Sequence, residues 1–489
     1  MTLFIRGAKS PYEIEMLSRM LFPGLKFPAD TEYPQDGEDY IETTIERGDM
    51  VTLKVTVKTG DTAFSESCSM PDGSDEKDCV RELSRMLYRC AIKSGREELR
   101  WGTLTGVRPI KLFHNLAAQG MSEQQANELM KKEFLISDEM AQLAQQIRRT
   151  EYAINQKSEP MGFSLYISIP FCPQRCSYCS FVSQAVDKMK GLIQPYVDKL
   201  CEEIAEFGAI ASCIGLKLHT VYFGGGTPTT LSAEQLTKLF CQIEESFDLS
   251  QLLEYTVEAG RPDTIDRDKL VAIKNAGVTR LSINPQTMND EVLRIVGRKH
   301  SSDDIVEAFK LARELGFDNI NMDLIAGLPG DDPESFEHSL KKVLELDPDN
   351  ITVHALTLKR SSTLVEEGAA AENYRRSRET SVMVDTARKL IMQGGYEPYY
   401  LYRQKNTVGS LDNTGYAKPG KEGLYNIFIM DETHTIFAAG AGAVTKLKAP
   451  YGDDIERIYN FKFPTEYLSR YDILKERKES IKRFYNENI

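Results

Sequence analysis

The pattern of apolar and polar positions divides the chain into three zones. In the first, residues 1 to about 155, a short apolar strand is predicted at 3–5 and a helix at 12–21, stopped by Pro23-Gly24. Two stretches of period two, 40–46 and 51–59, flank Arg47-Gly48-Asp49 and predict a hairpin. Val80, Leu83, Met86 and Leu87 recur at helical spacing, which predicts an amphipathic helix over 75–92. Residues 122–156 read as helical, with Ser122 and Gln125 at capping-box spacing and Ser137 as a second N-cap. This zone is an α+β module plus helices, and Trp101 is expected to be a packing anchor within it.

The second zone, 160–360, alternates strand and helix patterns. Strands are predicted at 164–169, 219–223, 254–258, 280–284, 320–324 and 351–356. Helices separate them at 193–207, 233–247, 266–276, 302–315 and 333–346. Repeated strand–helix units imply a parallel sheet with right-handed crossovers. Six units are too few for a closed eight-stranded barrel, so the expected architecture is α/β with an incomplete (β/α)6 TIM-like barrel. In such barrels, function sits at the C-terminal ends of the strands. The third zone, 361–489, is a mixed α/β region. It has a helix at 380–392, a Tyr- and Gly-rich segment at 399–425, an apolar Gly-rich segment at 436–444 and a charged tail helix at 466–489, expected to present a solvated face.

Composition narrows the class. At about 150 residues per domain, 489 residues correspond to roughly three domains. The sequence is 41% hydrophobic and 27% charged, as in soluble globular proteins. A net charge of −13 argues against nonspecific nucleic-acid binding, which needs a basic footprint. No apolar run reaches the ~18 residues of a membrane helix, and Met-Thr-Leu-Phe-Ile-Arg-Gly has no signal-peptide pattern. Nine cysteines in a long chain fit a reducing compartment better than a disulfide framework, so a cytoplasmic location is expected.

The candidate chemistry follows the first barrel strand, in Phe171-Cys172-Pro173-Gln174-Arg175-Cys176-Ser177-Tyr178-Cys179. Pro170 before it cannot extend a strand ladder. Three thiolates at Cys-x3-Cys-x2-Cys spacing can converge on a soft metal centre. Structural zinc takes four protein ligands, and a 4Fe–4S cluster has four iron corners. With three local thiolates, one corner is left for a ligand other than protein. Cys176 and Cys179 alone would also fit a redox pair or half a zinc site. The third cysteine, the preceding strand and the following repeats weigh against a redox pair, and no Cys or His pair elsewhere has the spacing of a zinc site. Cys68, Cys79, Cys90, Cys201, Cys213 and Cys241 are scattered and read as small core residues.

This cysteine motif, placed after the first strand of a βα array, resembles the radical S-adenosylmethionine (SAM) superfamily. The resemblance implies a 4Fe–4S cluster on Cys172, Cys176 and Cys179 whose open iron chelates SAM. Reductive cleavage of SAM would then give methionine and a 5′-deoxyadenosyl radical. Leu165-Tyr166-Ile167-Ser168-Ile169-Pro170-Phe171-Cys172 and Tyr222-Phe223-Gly224-Gly225-Gly226-Thr227-Pro228-Thr229 are similar to segments of the oxygen-independent coproporphyrinogen III oxidases. By that resemblance Tyr166, Tyr178, Gly225, Gly226, Thr227, Glu258, Gln286, Arg298, Asp323 and Ala355 are the SAM-contacting candidates. The long first zone resembles HemZ-type coproporphyrinogen dehydrogenases, as do residues 398–406, Asn413-Thr-Gly-Tyr-Ala and Gly440-Ala-Gly-Ala. The core likeness spans about 160–450, and the HemZ-like features extend it over nearly the whole chain.

The family activity is oxidative decarboxylation of two propionates of coproporphyrinogen III to vinyls, giving protoporphyrinogen IX in porphyrin synthesis. It implies a tetrapyrrole substrate, a reducing electron donor such as flavodoxin or ferredoxin, and an electron acceptor that the sequence does not define. Four substrate carboxylates on a net acidic protein call for a local basic pocket, with Arg261, Arg360 and Arg403 as candidates. Two positions depart from the oxidase pattern. Phe181 replaces a fourth cysteine, and Ser168 replaces a histidine in the first barrel strand. The Cys-x-Phe ending is similar to the haem-chaperone branch, which lacks a comparable first zone. A haem carrier with His354 or His434 as axial ligand is therefore the alternative reading, and a radical SAM haem-degrading methyltransferase is a third.

Overall fold

The computed structural model describes residues 1–22, 24–27, 34, 37–181, 183–357, 377–404, 407 and 411–489. They form two compact units. The first holds Met1–Arg148 and, from late in the chain, the described residues around Arg378 and Arg403. Its four strands lie in the order β1 (Thr2–Arg6), β2 (Tyr40–Arg47), β3 (Met50–Thr59), β4 (Thr62–Pro71). β2, β3 and β4 are antiparallel, whereas β1 runs parallel to β2. Helices α1 (Tyr12–Leu21) and α2 (Glu76–Lys93) bring Ile14, Leu17, Leu83 and Leu87 into one core with Leu53, Val55 and Val57. Helices α3 (Pro109–Ala118), α4 (Glu123–Phe134) and α5 (Asp138–Asn155) follow, and Trp101 before them is 1% exposed.

β4 is an addition to the two predicted strands. Phe64, Cys68 and Met70 pack on the core at period two, but the intervening position of that row is Glu66. Its carboxylate is met by Arg89 at 2.8 Å and Lys93 at 2.8 Å from α2. A charge satisfied by a helix far along the chain breaks the alternation that marks a strand.

The second unit is built on an eleven-stranded sheet. Its parallel strands are β5 (Gly162–Ile169), β8 (Lys217–Gly225), β9 (Glu254–Gly260), β10 (Arg280–Ile283), β11 (Ile320–Ala326) and β12 (Asn350–Ala355), adjacent in that order. The two-residue strands β6 (Phe171–Cys172) and β7 (Gln184–Ala185) pair separately above β5. Connecting helices are α6 (Val186–Ile214), α7 (Ala233–Ser246), α8 (Arg267–Asn275), α9 (Asp290–Ile295), α10 (Ser302–Glu314) and α11 (Pro333–Glu345). Reciprocal capping boxes at Ser232–Gln235 and Ser301–Asp304 fix where α7 and α10 begin. The expected α/β partial barrel is therefore present, with β5 and β8–β12 as its strands.

Described strands of the C-terminal region 361–489 join the same sheet. β13 (Glu397–Arg403) and β14 (Asp412–Ala417) extend the sheet beyond β12, with β14 antiparallel to it. On the other side β15 (Thr435–Ala439) runs parallel to β5, and β16 (Val444–Lys448) and β17 (Ile455–Tyr459) add antiparallel strands. The physical reason is that β5 and β12 are edges of the six-stranded array, and unpaired edge groups need partners.

The charged tail also differs from expectation. In the last helix, Tyr471–Asn488, residues Leu474, Lys478, Ile481, Phe484 and Tyr485 are buried. Lys478 is 4% exposed and lies 3.1 Å from Glu203 and 2.7 Å from Glu206 of α6. Glu203 also accepts from the Gly440 N–H (2.7 Å), the Asn460 amide (3.0 Å) and the Tyr467 hydroxyl (2.8 Å). Among the described residues no helix is long and apolar enough to cross a membrane. Lys478→Met should cost about 3–5 kcal/mol, because it leaves a buried carboxylate uncompensated. The double variant Glu203→Gln/Lys478→Met should recover part of that loss, and urea unfolding of the full chain checks both.

Candidate functional site

β5 ends at Pro170, and β6 then carries Cys172 directly over the strand ends. The loop between β6 and β7 brings Cys176 and Cys179 back toward it. Cys172 and Cys176 are buried and Cys179 is half-buried. Neighbouring backbone holds the loop. The Ser177 N–H donates to Val296 O at 3.1 Å, the Gln184 N–H donates to Pro170 O at 2.9 Å, and the Gln174 amide donates to Gly297 O. Burial pushes the Cys172 thiol up, opposed by the Thr227 and Ser183 hydroxyls. Burial pushes Cys179 up to about 11, with Cys176 and Cys172 adding to the rise. Thiols placed this way ionise readily only when a metal takes up their charge.

The loop after β8 lies against this segment. The N–H groups of Gly226 and Thr227 donate to Ile169 O and Phe171 O, both at 2.7 Å. A Cβ on Gly226 would sit 2.5 Å from Phe171 O and 3.0 Å from the Cys172 Sγ. Gly225 has φ +106°, which L side chains rarely adopt. The Thr227 hydroxyl is 3.5 Å from the Cys172 Sγ.

Along the following strand ends, two carboxyl groups lie close enough to repel each other. Glu258 on β9 accepts from the Tyr222 hydroxyl at 2.5 Å. Its depth in the protein pushes it up to about 7, against the opposing Tyr222 hydrogen bond and with Asp323 adding repulsion. Asp323 on β11 is also raised by burial, but His354 at 3.8 Å, the Asn321 amide at 2.7 Å and Arg280 bring it below its ordinary value. One group is thus poised to hold a proton near neutrality while its neighbour is ionised.

Gln286, after β10, is a non-glycine residue with φ 68°. Its N–H donates to Asp323 O and its carbonyl accepts from the Ile325 N–H, each at 2.9 Å. Its side-chain oxygen is buried without a hydrogen-bond partner, as is the Nε of Arg298. The other end of Arg298 donates from Nη1 to Asn284 O at 2.6 Å. Buried polar atoms without protein partners are the mark of a site shaped for a polar ligand. Tyr178 lies beside Arg298 and Cys176, and burial raises its hydroxyl. Tyr166 stacks with Tyr222 at 6.1 Å and with Tyr425 at 6.2 Å. Ala355 is buried at the end of β12, where its N–H donates to the Asn413 side chain at 2.9 Å.

Of the three arginines expected to form a basic pocket, two are among the described residues. Arg261 is 3% exposed and bidentate to Asp263, at 3.0 and 2.9 Å. Arg403 belongs to the first unit, where its guanidinium donates to the carbonyls of Leu104 and Gly106. Arg360 lies outside the described residues. His434 is fully buried, with both ring nitrogens at serine hydroxyls, Ser158 at 2.5 Å and Ser164 at 3.0 Å. These two contacts leave neither nitrogen open to a metal, and burial lowers the ring to about 3. Ser168 donates to Ala441 O at 2.9 Å, and Phe181 is 63% exposed. Sequence reasoning missed Tyr222 as a partner of Glu258, and Arg280, which is 1% exposed at the start of β10. Period two along the strands carried the signal for both: Tyr222 shares a face with Gly224, and Arg280 shares one with Ser282.

Comparison with known proteins gives consistent relatives. The family model of the Radical SAM superfamily matches residues 166–343. The chain is 41% identical to the oxygen-independent coproporphyrinogen-III oxidase-like protein HemZ of Bacillus subtilis, over 76% of this chain and 75% of that protein. It is 33% identical to the haem chaperone HemW of Bacillus subtilis, over 57% of this chain and 70% of that protein. The solved structure of coproporphyrinogen III oxidase HemN from Escherichia coli, described as a radical SAM enzyme, superposes with a TM-score of 0.52 at 25% identity, covering 65% of this chain and 72% of that one. The chain belongs to the radical SAM superfamily, in the family of oxygen-independent coproporphyrinogen III oxidase-like proteins that includes HemZ.

Proposed function

We propose that this chain oxidatively decarboxylates two propionates of coproporphyrinogen III to vinyls without oxygen, giving protoporphyrinogen IX. The observation that carries the reading is the HemZ likeness, which at 76% of the chain reaches well beyond the 166–343 segment common to the superfamily. The cofactors of the superfamily are a 4Fe–4S cluster and SAM. The buried thiols of Cys172 and Cys176, the half-buried Cys179 and the unpartnered atoms of Gln286 and Arg298 fit that pair by their donor chemistry. When bound, this pair supplies a 5′-deoxyadenosyl radical able to take a hydrogen atom from the propionate β-carbon, after which loss of CO₂ and of one electron to an acceptor completes each vinyl.

The chain's own residues would position and shield. Cys172, Cys176 and Cys179 hold the cluster, and Gly225, Gly226 and Thr227 let backbone approach SAM closely. Glu258 and Asp323 would accept from its amino group or ribose hydroxyls. Arg298 would pair with its carboxylate, Gln286 would offer an amide, and Tyr166, Tyr178 and Ala355 would border the adenosyl end. An outside one-electron donor such as flavodoxin or ferredoxin would reduce the centre. The HemW likeness and the Cys-x-Phe ending favour haem carriage as a second reading.

Anaerobic incubation with SAM, a reductant, an acceptor and coproporphyrinogen III tests the proposal by mass spectrometry of the product. Loss of two CO₂ and four hydrogen atoms, abolished by Cys176→Ala, is expected. SAM cleavage with an intact tetrapyrrole rejects this substrate, and stoichiometric haem binding without product would establish carriage.

Two site variants extend the test. Gly226→Ala drives a methyl group into Phe171 O and the Cys172 Sγ, so iron and sulfide per chain should fall by more than half after reconstitution. For Glu258 the sign is set by its elevated pKa. The carboxyl is neutral below about 7 and ionised above it, and a ligand N–H or O–H donating to it favours the ionised form. SAM affinity should therefore rise about tenfold per pH unit up to about pH 7 and then level off. Glu258→Gln should flatten this profile, as measured by equilibrium dialysis.

A further inference from the structure

The three candidate cluster cysteines have unequal surroundings. Cys172 receives a neutral hydroxyl, that of Thr227 at 3.5 Å. Cys176 receives a guanidinium: the Nη1 of Arg261 lies 3.8 Å from its Sγ. The same Nη1 donates to Gln174 O at 3.2 Å, so Arg261 grips the loop and one of its sulfurs together. Arg261 cannot swing away. Its Nε and Nη2 are fixed on the two oxygens of Asp263, at 3.0 and 2.9 Å. Asp263 is the middle residue of the short turn Pro262–Thr264 after β9 and stands 3.5 Å from His300. Arg298 supplies a second guanidinium near Cys176 and Tyr178.

We propose that Arg261 is a potential-setting residue, with Asp263 regulating how much of its charge the cluster feels. The inference rests on the reading that Cys172, Cys176 and Cys179 hold a 4Fe–4S cluster. The relevant step is the transfer of one electron from an outside donor, [4Fe–4S]2+ + e− → [4Fe–4S]+, with no bond made or broken. It adds one negative charge at a buried centre. A fixed cation donating to a ligand sulfur stabilises that added charge and raises the potential. A carboxylate behind the cation offsets part of the effect. Arg261 is thereby turned away from the carboxylates of a substrate and toward the electron-accepting group.

The two members of the pair make opposite predictions. Full-length wild type, Arg261→Lys, Arg261→Met and Asp263→Asn chains are reconstituted anaerobically and assayed for iron and sulfide. Each is then titrated with dithionite and mediators, and the reduced cluster is followed by electron paramagnetic resonance. Arg261→Met should shift the midpoint to lower potential, Asp263→Asn should shift it to higher potential, and Arg261→Lys should stay near wild type. A loosened loop does not move the midpoint in opposite directions from the two sides of one ion pair. Unchanged midpoints, or shifts of the same sign in Arg261→Met and Asp263→Asn, overturn the assignment. If Arg261→Met holds no cluster, the sign of the Asp263→Asn shift decides. A wild-type chain that binds no iron overturns the cluster reading as well, whereas a bound cluster with unmoved potential overturns only the role of Arg261.

Discussion

Two backbone hydrogen bonds, from Gly226 to Ile169 and from Thr227 to Phe171, hold the end of β8 against the end of β5. The thiol loop starts from that junction, so its position is only as fixed as the junction is. The opposite flank of β5 is equally tight. A Cβ on Gly440 would stand 2.5 Å from the Tyr196 hydroxyl and 2.6 Å from Ser168 O. Tyr196 binds both sides of this contact, donating to Ser168 O and accepting from the Ala441 N–H, each at 2.8 Å. The first barrel strand thus ends between two glycine turns, one early and one late in the sequence. Close backbone approach on both flanks leaves the segment carrying Cys172 little room to shift.

Below this junction the interior of the second unit is aromatic and charged rather than purely aliphatic. Tyr222 and Tyr425 stack at 4.5 Å, and Tyr222 reaches Glu258. The Glu254 carboxylate accepts from the N–H groups of Leu424 and Tyr425, capping the helix Leu424–Asp431 that delivers Tyr425. Buried polar groups are costly unless satisfied, and nearly all of these have partners. The side-chain oxygen of Gln286, after β10, and the Nε of Arg298, in the loop between α9 and α10, are among the buried atoms left for a ligand to complete.

The regular parts of this architecture were legible in the sequence because periodicity reports burial. The six barrel strands and five of their six connecting helices are legible as apolar runs and helical spacing, whereas the six-residue α9 is too short to show a period. The cysteine triplet and glycine loop were legible because their chemistry is local. What stayed hidden depends on distant partners. Glu66 interrupts β4 in sequence and is satisfied only once Arg89 and Lys93 fold beside it. Lys478 reads as a surface charge until Glu203 and Glu206 surround it. Arg261 has the composition of an anion-binding residue, and only its geometry turns it toward Cys176.

The place of β15 carries a further consequence for how the protein is made. It pairs in parallel with β5, and the Ser164–His434 hydrogen bond that accompanies this pairing joins residues 270 positions apart. At ribosomal rates of about 5–20 residues per second, roughly 15–55 s separate the synthesis of the two strands. Throughout that interval one edge of the strand leading to the cysteines has no native neighbour, and the glycine turn at 440 that braces its end does not yet exist. Nascent chains therefore carry an unpaired strand edge next to three free thiols, and the segment around them can assume its final form only after residue 440 has been translated.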